Sequence, residues 1–256
     1  MSKVIAIANN KGGVAKTTTA ANMATIFANK GKRVLLIDLD GQAHLTDIFV
    51  PQEVEFEETI YEAMVGKITK LPIIESNQDN IDIVPASDAL ALLDVSISNK
   101  FSRERILKKL IKPVRDVYDY IILDCPPALG ITVLNAFVAC DDLIVPLRPE
   151  YLSIKGTSTL YQFISAIQGE DELNPNLHIT GILVTMWEKT NDAKENESFF
   201  RSQPIRVFDT KIRKNIKVAE APKYGQTVVN YCPKCNGSID YNLFVQELEG
   251  IWTNEH

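Results

Sequence analysis

The sequence lacks any run of 18 or more apolar residues, so nothing in its 256 residues predicts a membrane-spanning helix. It has only four cysteines, too few for a disulfide framework in a chain of this length. It also lacks an excess of positive charge, since its formal net charge is −6. That value excludes a protein that is basic overall but not a local basic patch. Because no charged leader precedes an apolar core at the N-terminus, we expect a cytoplasmic protein with reduced thiols.

Short apolar runs alternate with amphipathic stretches along the chain. The predicted strands are Val4–Ala8, Val34–Asp38, Ile81–Val84, Tyr120–Asp124, Leu143–Leu147, Ile179–Thr185 and Ile205–Phe208. The predicted helices are Lys16–Asn29, Ser102–Arg115, Thr132–Ala139, Ser153–Gln168 and Ser238–Glu249. Several strands are apolar almost throughout, which is typical of strands buried on both faces of a parallel sheet. The alternation predicts an α/β fold, a three-layer sandwich with a mostly parallel twisted sheet.

We expect one domain over residues 1–256, because no linker, repeat or low-complexity tract interrupts the pattern. The acidic stretch Pro51–Glu58 and the polar stretch Thr190–Ser202 are interpreted as surface segments of that domain.

A glycine-bearing turn joins the first predicted strand to the first predicted helix. Gly12 and Gly13 allow backbone angles that turn several N–H groups toward one anion. The helix N-terminus adds further donors and a partial positive charge. Lys16 is placed to reach the β- and γ-phosphates of a nucleotide, and the Thr17 hydroxyl to bind Mg²⁺. This arrangement predicts a phosphate-binding loop.

Two further strands end in carboxylates. The second predicted strand ends at Asp38, with Asp40 two residues later, and the fourth ends at Asp124 after four apolar residues. Carboxyl ends of parallel strands border the ligand crevice of an α/β sheet. Aspartates at these positions predict a Mg²⁺ and phosphoryl-transfer site beside the glycine-bearing turn.

Four motifs resemble the deviant Walker A family of P-loop ATPases, which includes ParA, Soj, MinD and the nitrogenase iron protein. They are Lys11–Thr18, Asp38–Gln42, Asp124–Pro127 and Ala219–Gly225. The last motif resembles the Soj side of the family rather than MinD. Ala15 departs from the pattern, because the family usually has glycine there. The resemblance covers nearly the whole chain and implies the P-loop NTPase fold.

The resemblance also implies an ATP-sandwiched homodimer that hydrolyses ATP slowly with Mg²⁺. Lys11 would cross to the partner's phosphates, Lys16 would bind the phosphates of its own subunit, and Asp40 would position the attacking water. The implied nucleotide-binding residues are Lys11, Gly12, Gly13, Val14, Ala15, Lys16, Thr17, Thr18 and Asn215. The implied metal-binding residues are Thr17, Asp38 and Asp124.

Two stretches of this acidic chain are cationic, which favours local contacts with phosphates. Residues 201–223 carry seven basic side chains against two acidic ones, and residues 100–115 carry seven against one. By resemblance, the dimer binds DNA non-specifically and associates with the nucleoid in the ATP state. Hydrolysis stimulated by a ParB-like partner then releases it. The implied DNA-binding residues are Arg201, Arg206, Arg213, Lys214 and Lys217.

The predicted function is therefore partition of plasmid or chromosomal DNA. No helix-turn-helix segment precedes the first strand, so we expect no autorepressor activity.

Three alternatives stay open at this point. Cys232 and Cys235 suggest an iron–sulfur cluster carrier of the Mrp/Nbp35 type, although one pair gives only two ligands. A MinD-like membrane regulator needs a basic amphipathic C-terminal helix, whereas the segment Val245–His256 has three glutamates and no lysine or arginine. A related ATPase that positions a protein cargo is not separated from DNA partition by sequence.

Overall fold

A seven-stranded sheet forms the centre of the molecule. The structure, a computed structural model, describes residues 2–169 and 173–254, so Glu255 of the C-terminal segment lies outside the described residues. The strands run in the order β3-β4-β2-β5-β1-β6-β7, and all neighbours are parallel except β3 and β4. They span β1 Lys3–Ile7, β2 Val34–Asp38, β3 Ile74–Glu75, β4 Ile81–Val84, β5 Tyr120–Asp124, β6 Asp142–Leu147 and β7 His178–Val184.

Helices cover both faces of this sheet. The α-helices are α1 Lys16–Asn29, α2 His44–Phe49, α3 Ile60–Val65, α4 Leu93–Ser96, α5 Ile106–Ile111, α6 Ile131–Ala139, α7 Tyr151–Gln168, α8 Asn191–Arg201, α9 Ile216–Glu220, α10 Val228–Tyr231 and α11 Asn236–Asn254. Short 3₁₀ helices span Asp88–Leu92, Arg103–Arg105, Lys112–Val117 and Ala221–Tyr224.

Successive strand side chains pack alternately into two separate apolar cores, one on each face of the sheet. In β1, Val4 and Ala6 enter one core, while Ile5 and Ile7 enter the other. The first core is closed by α3 to α8, and the second by α1, α2, α10 and α11. This confirms the three-layer α/β fold with a mostly parallel sheet, since each interior strand is buried on both faces.

Two sequence predictions of secondary structure are wrong. The segment Ile205–Phe208 makes only an isolated bridge to Ile182 through Val207. The predicted helix Ser102–Arg115 is three shorter pieces, because Ser102 is left-handed at φ 52° and Pro113 has no N–H to continue the helix beyond α5.

The polar stretch Thr190–Ser202, which the sequence predicts as a surface segment, contains helix α8, and most residues of this helix are exposed. The Thr190 hydroxyl accepts a hydrogen bond from the Ala193 N–H at 3.1 Å and caps the helix. The helix buries Ala193 and Phe200, so a capping threonine and two spaced apolar residues were enough to fix it.

Candidate functional site

Three adjacent strands deliver the predicted site residues to one edge of the sheet. β5 lies between β1 and β2, and Asp124 is in register with Ile7 on one side and Asp38 on the other. The loop that follows β1 leads directly into α1. Residues from three separate parts of the sequence therefore meet at the carboxyl edge, where α/β sheets bind ligands.

Two buried side chains fix the loop between β1 and α1. The Asn9 amide donates to the carbonyl of Pro146 at 2.7 Å, and its oxygen accepts from the Lys11 N–H at 3.0 Å. Farther along, the Thr185 hydroxyl donates to the Val14 carbonyl at 3.1 Å. The loop is thus attached to the ends of β6 and β7, and its shape is set before any ligand arrives.

The loop approaches α1 through left-handed backbone. Gly13 has φ 70° and Ala15 has φ 65°. A side chain at Gly12 or Gly13 would meet nothing within 4 Å, so the loop is open on that side. No side chain caps α1, and its first turn has no acidic residue, so the first N–H groups face the open side. That arrangement suits a bound anion.

Lys16 is buried at the start of α1. Its ammonium donates to the Lys11 carbonyl at 2.9 Å. Burial lowers the pKa of Lys16, while the nearby Asp124 and Asp40 carboxylates oppose that shift. The cation therefore sits in the loop opposite a group of carboxylates.

Asp124 is the least satisfied polar group at the site. It is 1% exposed, and neither carboxylate oxygen has a hydrogen-bond partner of normal length among the described residues. Burial raises its pKa well above the ordinary value, and Asp38 adds to this, although Thr17 and Lys16 counteract it. Buried carboxylates without partners are costly, so this one is suited to an added cation.

Asp38, in contrast, is fully engaged by the protein. Its Oδ2 accepts from the N–H and the hydroxyl of Thr46 at 2.9 and 2.8 Å, and its Oδ1 accepts from the Asp40 N–H at 3.1 Å. Burial nevertheless raises its pKa. Asp38 thereby holds the turn that presents Asp40, whose own Oδ1 accepts from the Gln42 N–H at 3.1 Å.

A cleft of about 630 Å³ opens over these groups. Its lining includes the predicted residues Gly12, Gly13, Ala15, Lys16, Thr17, Thr18 and Asp40. Four further lining residues, Gln42, Pro127, Pro222 and Lys223, belong to the motifs that carry the family resemblance. The sequence assigned no role to the remaining lining residues, namely His44, Asp47, Ile48 and Met186. Sequence analysis also missed Asn9 and Thr185, whose hydrogen bonds hold the loop in place. The one indication was the position of Asn9 immediately after a strand.

A second pocket, of about 360 Å³, adjoins the cleft and shares Ala15, Thr18 and Met186 with it. Its lining is mostly apolar and includes the predicted Asn215. The side chain of Asn215 accepts from the Lys217 N–H at 2.8 Å and so caps α9. The pocket suits a flat, largely apolar group next to the anion site.

Two of the five predicted DNA-binding side chains hold the fold together. Arg201 pairs with Glu197 at 3.0 Å and also donates to the Phe208 carbonyl at 3.0 Å. Arg213 makes a two-pronged pair with the buried carboxylate of Asp240, the shortest contact being 2.6 Å. Each of these guanidinium groups is paired with a buried carboxylate from outside residues 201–223.

The remaining three are dispersed. Lys214 pairs with Glu188 at 3.2 Å, and Lys217 pairs with Glu220 at 2.8 Å. Arg206 instead borders a pocket at the start of β7, whereas Lys214 lines the pocket beside the anion site. The cationic count of the sequence therefore overstates the charge that is available to a phosphate backbone.

Cys232 and Cys235 lie together without a further metal-ligating side chain among the described residues. The Cys235 N–H donates to the Cys232 carbonyl at 3.0 Å, which places both at the turn between α10 and α11. Within residues 2–169 and 173–254, no group of three or more His, Cys, Asp or Glu side chains is placed to hold a metal. No helix of those residues has the length and apolar content that crossing a bilayer requires.

Proteins of known identity are similar to this chain in sequence over almost their full length. The family described as AAA domain matches residues 2–179. The chain is 36% identical over 254 residues to the sporulation initiation inhibitor protein Soj of Bacillus subtilis (strain 168), covering 97% of this chain and 98% of that protein. It is 33% identical over 254 residues to the chromosome partitioning protein ParA of Caulobacter vibrioides, covering 96% and 93%.

A solved structure has a similar fold. Cobyrinic acid a,c-diamide synthase from Mycobacterium smegmatis, with a bound ATP analogue and magnesium, has a TM-score of 0.87 and 28% identity, covering 100% of this chain and 97% of that one. Together with the loop, the strand-end aspartates and the sheet order, these similarities show that the chain belongs to the ParA/Soj family of P-loop ATPases with a deviant Walker A motif.

Proposed function

We propose that this protein is an ATP-hydrolysing switch for DNA partition that dimerises around ATP and Mg²⁺. In the ATP state it binds DNA without sequence preference, and hydrolysis stimulated by a ParB-like partner releases it. One observation carries the proposal: a preformed anion loop borders a cleft at the carboxyl edge of the sheet, next to Asp124, a buried carboxylate with no hydrogen-bond partner among the described residues.

The cleft and the adjoining pocket together fit a nucleoside triphosphate. The uncapped N–H groups of α1 and the Lys16 ammonium are placed for phosphates, and Lys16 would exchange its bond to the Lys11 carbonyl for a phosphate oxygen. The mostly apolar pocket that Asn215 borders fits the base.

The residues present also fit Mg²⁺. Thr17 provides a hydroxyl and Asp124 a carboxylate with no other partner, which are the oxygen donors this ion prefers. When bound, Mg²⁺ would neutralise charge on the phosphates. Asp38 would support Asp124 from the neighbouring strand, because its own oxygens are already occupied by Thr46 and Asp40.

Asp40 is the proposed residue for positioning the attacking water, since it lines the cleft and its backbone is held by Asp38. Lys11 is proposed to act in the second subunit, where a cation supplied in trans would stabilise charge on the transferring phosphoryl group. Dimerisation and hydrolysis would then depend on the same phosphate contacts.

The test is an ATPase assay with two cleft variants. Lys16→Ala should abolish ATP binding, measured by equilibrium binding of a fluorescent ATP analogue. Asp40→Ala should retain binding but lose hydrolysis, so that ATP-loaded dimers accumulate. Normal hydrolysis by Asp40→Ala would remove the assignment of Asp40, and ATP binding by Lys16→Ala would remove that of the loop.

DNA binding is tested by filter retention of duplex DNA at several salt concentrations. Binding should require ATP and fall steeply with salt, because phosphate neutralisation releases counterions. Lys214→Ala should weaken binding without unfolding the protein, since its ion pair with Glu188 is exposed. ATP-independent or salt-insensitive binding contradicts this part of the proposal and favours an ATPase that positions a protein cargo.

A further inference from the structure

Three large apolar side chains project into solvent within ten residues of one another. Leu92, Val95 and Phe101 are 60%, 77% and 99% exposed. Leu92 and Val95 are three residues apart at the junction of a 3₁₀ helix and α4, so they lie on the same side. A cluster of this kind on a soluble chain marks an interaction surface rather than ordinary scatter.

A compact turn connects Val95 to Phe101. The Ser98 hydroxyl donates to the Val95 carbonyl at 2.8 Å, and the Arg103 guanidinium donates to the Ser98 carbonyl at 3.2 Å. The backbone N–H of Lys100 donates to the carbonyl of Ile97, which is buried. The exposed phenylalanine is therefore held by an ordered turn.

An exposed cationic helix face continues this surface. Helix α5 buries Leu107 and Ile111, which leaves Lys108, Lys109 and Lys112 toward solvent. None of the three lysines has a carboxylate partner in the described part of the chain, unlike most cations of residues 201–217. Both α4 and α5 pack against α3 and α6 and contribute to the same apolar core, so the two helices lie on the same side of the sheet.

The same surface is connected to the ATP cleft through the first turn of α6. The Ile131 N–H donates to Asp94 of α4 at 3.3 Å. The buried Asn135 accepts from the Leu107 N–H at 3.1 Å and donates to the carbonyls of Arg103 and Ile131, each at 2.9 Å. Helix α6 starts four residues after Pro127, which lines the cleft.

We propose that Leu92, Val95, Phe101, Lys108, Lys109 and Lys112 form a docking site, the α4–α5 surface, for an acidic amphipathic segment of a partner protein. Occupation of this site would act on the ATP cleft through α6. The docking claim stands on the exposed residues alone, whereas the coupling claim rests on the proposed function.

Charge decides among the possible occupants. A second copy docked by two-fold symmetry would bring like cations together. An anionic bilayer would meet Asp94 on the apolar side of the surface, and DNA would gain nothing from three apolar side chains. A segment with apolar anchors and carboxylates complements both parts of the surface.

The test pans a phage-displayed random peptide library on the full-length protein with Mg²⁺ and a non-hydrolysable ATP analogue. The selected peptides should combine Leu or Phe at helical spacing with Asp or Glu. Binding of the synthetic consensus peptide, followed by fluorescence anisotropy, should weaken at least about tenfold in Phe101→Ser, because truncation of a central anchor has that effect. Lys108→Glu/Lys112→Glu should weaken it severalfold and reduce its salt dependence.

Matched controls lie on the opposite side of the sheet. Leu243→Ser removes an apolar side chain of α11 that is 49% exposed, and Lys234→Glu reverses an exposed lysine. Both should bind the peptide like the unmodified protein. A selection without an acidic and apolar consensus, or equal loss in the controls, overturns the docking site. So does Phe101-dependent binding to phosphatidylserine vesicles or to duplex DNA.

The coupling is tested separately with the same peptide and the ATPase assay. The peptide should change kcat of the unmodified protein, and Asp94→Ala should bind the peptide but lose that response. An unchanged response in Asp94→Ala overturns the coupling. If the unmodified protein hydrolyses no ATP, the proposed function fails, whereas the peptide-binding result still decides the docking site.

Discussion

Several individual residues around the cleft adopt left-handed backbone conformation. Ala15 and Met186, which line the cleft, have φ of 65° and 51°, and Ala43, next to the lining residue Gln42, has φ 54°. A left-handed alanine costs about 1 kcal/mol relative to glycine, because its Cβ approaches the following carbonyl. Such strain at a binding loop persists only where surrounding contacts enforce it, here through the hydrogen bond from Thr185 to Val14.

The first prediction concerns this strain. Ala15→Gly should stabilise the nucleotide-free protein by about 1 kcal/mol, since glycine adopts positive φ without a steric penalty. Urea unfolding at constant pH measures the change. Ala91→Gly, an exposed alanine in the 3₁₀ helix Asp88–Leu92, is the control and should destabilise instead. Loss of stability in both variants would show that the left-handed conformation carries no strain.

The second prediction concerns the unpartnered carboxylate. Burial raises the pKa of Asp124, so the folded protein holds a proton that the unfolded chain releases near pH 4. The contribution of this protonated group to stability is therefore present below about pH 4 and is lost as the pH rises through the folded-state pKa. Asp124→Asn should be more stable than the unmodified protein by at least about 1 kcal/mol at pH 7, in the presence of EDTA.

Denaturant unfolding between pH 4 and 8 tests the sign of this difference. The stability gap should widen with pH, and Mg²⁺ with an ATP analogue should narrow it by stabilising only the unmodified protein. A gap that is constant or shrinks toward pH 8 means that Asp124 is ionised and satisfied in the folded protein.

Individual elements show why sequence patterns succeeded in some places and failed in others. The bounds of β2 and β5 equal the predicted ones, because continuous apolar runs between polar ends define buried strands. The bounds of β4 also equal the predicted ones, although one charged residue, Asp82, interrupts its apolar run. The segment Ile205–Phe208 has the same local pattern, yet only one residue pairs with β7. Strand pairing is decided by neighbours that are distant in sequence, so local pattern alone could not exclude it.

Helix α8 illustrates anchoring by charges from separate elements. Glu197 is buried and pairs with Arg201 of its own helix and with Lys211 of a later loop at 2.7 Å. Burial opposes its ionisation, but the hydrogen bonds from Lys211 and Arg201 outweigh burial and lower its pKa. The stabilisation is present above the unfolded-state pKa of about 4.3 and is lost as the pH falls.

The third prediction follows from that anchor. Glu197→Gln should destabilise the protein by about 2 kcal/mol at pH 7, because two cations lose a hydrogen-bonded carboxylate. The difference should shrink as the pH falls below the unfolded-state pKa of about 4.3 toward the lowered pKa of the native glutamate. Thermal unfolding measures this difference. As a control, Glu195→Gln, two residues earlier on the exposed face of α8, should change stability by less than about 0.5 kcal/mol. Equal effects of the two substitutions would contradict the anchor.

At the scale of the whole molecule, the sequence predicted the three-layer α/β fold and the residues of the anion site. It did not predict how charge is distributed over the surface of the molecule. The loop and the strand-end aspartates are local motifs whose meeting point follows from parallel strands. Three of the carboxylates that engage the predicted DNA-binding cations come from outside residues 201–223, namely Glu188, Glu197 and Asp240. A count within one stretch could not include them, nor could it find the exposed α4–α5 surface.

The measurement that tests the central claim most directly is the molar mass of the protein in solution with each nucleotide. Light scattering of the chromatographed protein should give 28.6 kDa with Mg²⁺ and ADP, and twice that value with Mg²⁺ and a non-hydrolysable ATP analogue. Lys11→Ala should remain at the lower mass with the analogue, because the cation that reaches the neighbouring phosphates is gone. A mass of 28.6 kDa under all conditions, with the analogue shown to be bound, would contradict the ATP-driven switch.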